Sequence, residues 1–238
     1  MTSTAAPKSK SDYIIAYQHS DLLYWWVVWL YGFFCAALTW WSGNYVEVSK
    51  GVKPVLIHPS AWVGISFVFL VLFVLVFTNA RARGVKSLVL FLTLAVIGLT
   101  VQLTYGWDEI LKYFPLLLVH MNLAFYLLFS GLVLAAWTFV VLLADHFVYW
   151  EFGPGYLSKK YLFTEGAETF TSPQVETSRQ SDDIFVHRIL GLWWLGFGTG
   201  DIEIRFSTPG GGQRVFNLKN VWNAAHVERE INRLVPPT

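Results

Sequence analysis

Charged residues and cysteines are scarce in this chain of 238 residues. Asp, Glu, Lys and Arg together make up 14% of it, against about 25% in a typical soluble domain. The single cysteine, Cys35, excludes an intramolecular disulfide and any metal site built from several thiolates. The net charge is only +1 and no basic cluster stands out, so the composition argues against a nucleic-acid partner.

The shortage of charged residues is most marked in the first two thirds of the chain. A helix needs about 20 mainly apolar residues to cross a bilayer. Buried helices of a soluble protein would show polar faces at helical spacing, which these segments do not. The sequence therefore predicts an integral membrane protein, in contact with the lipid bilayer and its bound lipids. Four transmembrane helices are expected, in stretches that lack Asp, Glu, Lys and Arg: 22–41, 61–78, 87–105 and 115–144.

Basic residues predict which side of the membrane the loops face. Arg81, Arg83 and Lys86 lie in the second connection, and Lys8 and Lys10 lie in the N-terminal tail. The third connection is net acidic. Because lysine and arginine favour the cytoplasmic side, the tail and the second connection are expected there. Four spans return the C-terminus to the same side. We therefore expect a multi-pass protein of the bacterial inner membrane, with both termini cytoplasmic.

Beyond the apolar stretches the sequence has ordinary mixed polarity. We divide the chain into a tail (1–21), a four-helix transmembrane domain (22–146) and a cytoplasmic domain (147–238). The last of these begins with a short aromatic segment and a Gly-Pro-Gly turn. A final amphipathic helix begins near Asn223. The pattern favours a small α+β domain whose strands are expected at 156–163, 167–171, 175–179, 201–207 and 214–218, with a less cleanly alternating run at 184–190.

Short motifs in this last part resemble a known family. They are Tyr161-Leu-Phe-Thr164, Gly196-Phe-Gly-Thr-Gly200 and Asn223-Ala-Ala-His-Val227. They look like the bacterial pleckstrin-homology-like family of membrane-anchored proteins. The resemblance covers about the last third of the chain. It implies a seven-stranded bent sheet or partly open barrel, capped by a C-terminal helix, with a role in binding or assembly. The chain departs from the family in having four predicted spans, where two are usual.

Two features suggest candidate sites. His120 lies inside the fourth predicted span. It is a candidate ligand for a heme or chlorophyll-type pigment, although it could equally hydrogen-bond to a neighbouring helix. His19 and His146 flank the first and fourth spans and could form a bis-histidine heme site if those helices are neighbours. The second feature is an apolar insertion that could contact membrane or protein, or pack inside its own domain: Leu192, Trp193, Trp194 and Leu195.

The functional hypotheses follow from what the spans and the last domain lack. No charged residue lies deep in a span, which argues against a transporter, and no catalytic or metal-binding motif supports an enzyme. We therefore expect a non-catalytic accessory or structural subunit that docks on a larger membrane complex, respiratory or photosynthetic, formed by other integral membrane proteins. The alternatives are a pigment- or heme-binding component of electron transfer or light harvesting, and a membrane-anchored module that binds lipid or protein.

Overall fold

The computed structural model describes most of the chain in two compact units. The residues described are 13–47, 51, 53–80, 85–163, 166–171, 175–180, 187, 190–191, 198–207 and 213–234. One unit comes from Asp21–Phe139 and Asp182–Val186, and is mainly helical. The other comes from Met1–Ser20, Val140–Ser181 and His187–Thr238, and holds most of the strands.

The helical unit follows the apolar stretches of the sequence. Its main elements are α1 (Trp26–Ser42), α2 (Ala61–Ala80), α3 (Val85–Thr104), the short α4 (Trp107–Leu111) and α5 (Leu123–Leu142). The segment Asp21–Trp25 forms a 3-10 turn before α1, and Phe114–Leu117 forms another before α5. Between α1 and α2, the strands β2 (Asn44–Val46) and β3 (Val55–Ile57) pair as an antiparallel hairpin.

Three segments are long and apolar enough to cross a membrane, namely Asp21–Ser42, Ala61–Asn79 and Leu123–Phe147. The prediction of membrane-type helices is confirmed for these three. A fourth crossing exists only if Leu88–Thr104 and Trp107–Leu117, which meet at an angle of 93°, form one span.

The stretch 115–144, predicted as one span, is continuous α-helix only from Leu123 onward. Pro115 lies in the 3-10 turn, and Leu118 ends that turn in a left-handed conformation with φ 49°. Asn122 then caps α5, because its Oδ1 accepts a hydrogen bond from the Phe125 N–H at 2.7 Å.

Helices α1, α2 and α5 share a small core. It contains Cys35, Ala36, Phe67 and Tyr126. Gly32 of α1 lies directly against Ser130 of α5. Small residues at such a crossing let two backbones approach closely, which is how membrane helices gain packing energy.

The sheet unit contains two antiparallel sheets and one helix. The first sheet has the order β1 (Ile14–Tyr17), β4 (Val148–Gly153), β5 (Tyr156–Tyr161), β6 (Ala167–Thr171). The second has the order β7 (Val175–Gln180), β8 (Gly200–Ser207), β9 (Gln213–Val221). The helix α6 (Ala224–Leu234) follows. The predicted sheet-rich C-terminal part with a final helix is therefore confirmed.

The core of this unit collects the inward residues of both sheets. Alternation along β8 buries Ile202 and Ile204 and exposes Arg205, as expected for a half-buried strand. From α6, Ile231 is fully buried in the same core. The other large members are Trp150, Phe152, Leu157, Leu218 and Val221.

Strand β1 was not predicted from the sequence, which we interpreted as a tail up to residue 21. In the structure Ile14 pairs with Phe152, and Tyr17 pairs with Tyr149. A backbone hydrogen bond continues this attachment beyond β1, because the His19 N–H donates to the Lys219 carbonyl oxygen at 3.2 Å. Residues ahead of α1 are thus built into the sheet unit.

Candidate functional site

A pocket of about 310 Å³ opens in the sheet unit where three segments of the chain meet. The residues after β1 provide one wall, the turn after α5 provides the second, and β4 with β5 provides the third. Its lining is partly charged and partly apolar: Gln18, His19, Ser20, Ala144, Asp145, Val148, Trp150 and Lys159. Its combination of a carboxylate, an ammonium and an imidazole makes this pocket a candidate site.

Asp145 organises one side of the pocket. Its Oδ2 accepts a hydrogen bond from the Ser20 N–H at 2.9 Å and lies 3.4 Å from the Ser20 hydroxyl. The same oxygen lies 3.3 Å from Nδ1 of His19, whose side chain is 9% exposed. This carboxylate therefore holds the residues before α1 against the turn after α5, and leaves Nε2 on the opposite edge of the His19 ring.

A second histidine lies beside the first. The rings of His19 and His146 are 6.0 Å apart between centroids, and Tyr17 lies 4.7 Å from His146. Nδ1 of His146 is buried and has no hydrogen-bond partner among the described residues. Within that same part of the chain, no three His, Cys, Asp or Glu side chains are grouped as a metal site requires. The bis-histidine heme hypothesis stays a prediction.

The lining of the pocket also includes a lysine that lies over aromatic rings. Nζ of Lys159 lies 5.8 Å from the ring centroid of Trp150 and 5.2 Å from that of Tyr161. An ammonium over an aromatic face is attracted by the ring quadrupole. No carboxylate among the described residues pairs with this ammonium. Trp150 itself is only 5% exposed, so the indole ring beneath the lysine is packed in the core.

The neighbouring Lys160 behaves differently. Adjacent strand residues point to opposite faces, and Lys160 donates to Glu151 at 2.6 Å. This side-chain hydrogen bond raises the pKa of Lys160 above its ordinary value. Glu151 also accepts from the Tyr156 hydroxyl at 3.0 Å. The two lysines of β5 therefore differ: one is ion-paired and the other lines the pocket.

His120, the candidate pigment ligand, lies in the non-helical segment just before α5. Its side chain is exposed, and Nε2 is 3.4 Å from the Pro59 carbonyl oxygen, a long and weak contact. Its role as a ligand stays a prediction. The apolar insertion formed by Leu192, Trp193, Trp194 and Leu195 lies outside the described residues.

Lys159 and Trp150, which line the pocket, were not proposed as site residues from the sequence. Lys159 and Trp150 occupy paired positions on β5 and β4. The alternation of polar residues along β5 could have indicated that Lys159 and Lys160 face opposite sides. Nothing in the local sequence indicated that residues 18–20 would join them.

The helical unit offers a second candidate surface. Helix α3 exposes large apolar side chains with relative exposures from 46% to 84%: Leu92, Leu94, Val96, Ile97, Leu99 and Leu103. At about 100° per residue these positions surround the helix axis. By contrast, α1 buries Val28 and Cys35 completely. These apolar side chains of α3 are thus available to contact lipid or another protein.

The comparisons with known proteins add no relative. No family model matches the chain, and neither a curated protein nor a solved structure matches it. What the protein does is therefore inferred from its own residues and contacts.

Proposed function

We propose that this chain is a non-catalytic subunit of a larger membrane-protein complex. It would cross the bacterial inner membrane four times, counting α3 with the bent segment after it, and keep both termini in the cytoplasm. The observation that carries the proposal is the exposed apolar circumference of α3. The remaining spans support each other through the core around Cys35 and Tyr126, whereas α3 is left to pack elsewhere.

The polar residues of α3 support a protein neighbour over lipid alone. Thr93, Thr100 and Thr104 are exposed, and steps of seven and four residues put them on one face of the helix. Thr100 and Thr104 bond the carbonyls of Val96 and Thr100, at 2.8 and 2.6 Å, which satisfies their hydroxyls without a partner. Small side chains of this kind are enriched where membrane helices approach closely. We infer that this face packs against a helix of another subunit.

The sheet unit supports a binding role of the kind that the pleckstrin-homology-like resemblance implies. Seven strands form sheets of four and three, and α6 packs its buried residue Ile231 into their common core. We take the seven described strands and the closing helix as support for that resemblance. The first strand comes from the residues before α1, which is a departure from a domain made only of the last third.

The experiment is site-directed cross-linking in native membranes. Cys35 is the only cysteine, so a Cys35→Ala background allows single cysteines elsewhere. Leu99→Cys places one on the exposed face of α3, and Val74→Cys places a matched one at a fully buried position of α2. Membranes from the natural host are labelled with a thiol-reactive photo-cross-linker, such as a benzophenone maleimide, which reacts with C–H bonds on irradiation, and products are identified by mass spectrometry.

We expect Leu99→Cys to give a product containing a different integral membrane protein, and Val74→Cys to give none. The native mass of the gently extracted protein should exceed that of the chain alone. Products that contain only lipid-sized additions or a second copy of this chain, together with a native mass of one or two copies, would show that α3 has no foreign partner. That result would reject the subunit proposal.

A further inference from the structure

Two large apolar side chains are exposed where the chain leaves β5. Leu162 is 60% exposed and Phe163 is 76% exposed. We propose that these two residues, the β5–β6 tip, insert into the interfacial layer of the lipid bilayer beside the end of the last span. The inference rests on the segment Leu123–Phe147 crossing the membrane. It does not depend on the existence of a partner complex.

The register of the first sheet places the tip at the end of that span. Strand β4 begins at Val148, directly after the last residue of the segment Leu123–Phe147. Because β4 and β5 are antiparallel, the last residue of β5, Tyr161, pairs with Val148. The chain that leaves β5 therefore returns to the edge of the sheet at which the span arrives. The residues from Val140 onward belong to the sheet unit, so this placement lies within one compact unit.

Two contacts attach the tip to the last residue of the span. The Leu162 N–H donates a hydrogen bond to the Phe147 carbonyl oxygen at 2.8 Å. The rings of Phe147 and Phe163 lie 4.7 Å apart between centroids at an interplanar angle of 72°, an edge-to-face geometry that aromatic pairs favour. The tip is thus fixed to Phe147, while most of the surface of both its side chains stays exposed.

The span itself indicates what covers the tip. Leu142 and Leu143 belong to the last part of the segment Leu123–Phe147, and both are more than half exposed. Leucines exposed on a membrane span contact lipid. The tip adds two further apolar side chains at the same end of the segment, and neighbouring exposed apolar residues mark a contact surface. The bilayer that covers the span is therefore the neighbour that the tip meets.

The insertion is shallow. Asp145 and His146 occupy the 3-10 turn that ends at Phe147, and polar side chains at that level indicate the interface and not the hydrocarbon core. Phenylalanine and leucine are the residues with which peripheral helices bury their apolar face at the boundary between headgroups and acyl chains. A contact of this kind depends on apolar area. It should therefore be the same for neutral and anionic lipids.

The experiment measures how deeply single labelled positions lie in the bilayer. Full-length protein with the Cys35→Ala background receives Leu162→Cys or Phe163→Cys, is labelled with an environment-sensitive nitrobenzoxadiazole fluorophore, and is reconstituted without other proteins into phosphatidylcholine vesicles. One quencher is a lipid with a nitroxide near the top of its acyl chain. The other is iodide, present on both sides of the bilayer.

Thr171→Cys is the matched control on the same pair of strands. Thr171 is exposed and pairs with Tyr156, the first residue of β5. The five residues of rise that separate Tyr156 from Tyr161 put this position about 17 Å from the tip along the strands. Thermal unfolding of each labelled protein confirms that it is folded.

We expect both tip labels to show blue-shifted emission, quenching by the nitroxide lipid and protection from iodide. The label at Thr171 should show the opposite behaviour, and phosphatidylglycerol in place of phosphatidylcholine should change neither result. Tip labels that iodide quenches as strongly as the label at Thr171 would overturn the proposal. A blue shift without nitroxide quenching would place the tip against a second copy of the chain and refute the bilayer contact.

A second pair of variants tests whether the tip, and not the fluorophore, drives the insertion. Phe163→Ser added to the labelled Leu162→Cys protein should reduce quenching by the nitroxide lipid and restore quenching by iodide. Val215→Ser is the control, because Val215 is an apolar side chain of β9 that is 50% exposed in the same unit. It should leave both quenching values unchanged. Identical quenching with and without Phe163→Ser would show that the label inserts by itself, which would also reject the proposal.

Discussion

A methyl group added at Gly32 tests whether α1 and α5 pack as closely as the structure shows. A Cβ built there overlaps the Ser130 hydroxyl, and it lies 3.2 Å from Ser130 Cβ and 3.0 Å from a ring carbon of Phe67. Overpacking of this kind costs about 1–3 kcal/mol. Replacing glycine by alanine within a helix contributes about 1 kcal/mol in the opposite direction. Gly32→Ala should therefore destabilise the fold by about 0–2 kcal/mol.

Gly131→Ala is the matched control, because a Cβ at Gly131 meets nothing within 4 Å. It keeps the helix-propensity gain without the overlap, so the two variants should differ by about 1–3 kcal/mol. Reversible unfolding in mixed micelles, followed by tryptophan fluorescence, measures both free energies. Adding Ser130→Ala to Gly32→Ala should recover part of the loss, since the nearest atom is removed. Equal stability of the two glycine variants would refute the close crossing.

Substitutions at three further positions test individual contacts by the same unfolding measurement. Trp137→Phe should cost about 0.5–1.5 kcal/mol, because the indole N–H donates to the Leu23 carbonyl at 3.1 Å; no loss would contradict that bond. Asp145→Ala should cost about 1–3 kcal/mol by leaving buried donors without an acceptor, and Asp145→Asn less, since it keeps an acceptor oxygen. Lys160→Gln should cost about 0–1 kcal/mol, because its ion pair is partly exposed. The Lys160 pKa is raised in the folded protein, so this contribution is complete below the ordinary lysine pKa of 10.5 and disappears as pH rises through the folded value. A cost that persists in strong alkali would argue against the pair.

The helices could be predicted from the sequence, since a span leaves a long signal with little ambiguity. Charge-free runs of about 20 residues have few alternatives to a membrane helix, and three of the four produced one. The run 115–144 gave a span only from Leu123 onward, and this shows where composition is insufficient. Residues 115–122 are free of charge like the rest, yet Pro115 and the left-handed Leu118 interrupt the helix. Apolar composition allows a segment to be buried in lipid or in a protein core. Whether that segment is helical depends on the backbone conformation that its residues allow.

The strands of the last third were also predictable in outline, because β8 alternates cleanly and α6 has a clear apolar face. Strand β1 was not. Four residues, Ile14–Tyr17, carry too little pattern to indicate a strand, and the partner β4 begins only at Val148. Pairing between such distant segments depends on the free edge of β4, and residues 14–17 alone carry no information about that edge.

The same long-range pairing explains why the pocket was beyond sequence reasoning, and why it is built as it is. Ser20 precedes the first helix and Asp145 follows α5, yet the antiparallel register of β1 on β4 brings the two residues into hydrogen-bond contact. The contact closes a chain of more than a hundred residues, and the entropy of closing so long a loop must be offset by the paired strands. Ala16 of β1, Trp150 of β4 and Lys159 of β5 lie at one level of the sheet, and the residues that follow β1 continue beside the turn after α5. The pocket therefore forms as a consequence of strand pairing, although none of its three segments is a binding motif alone.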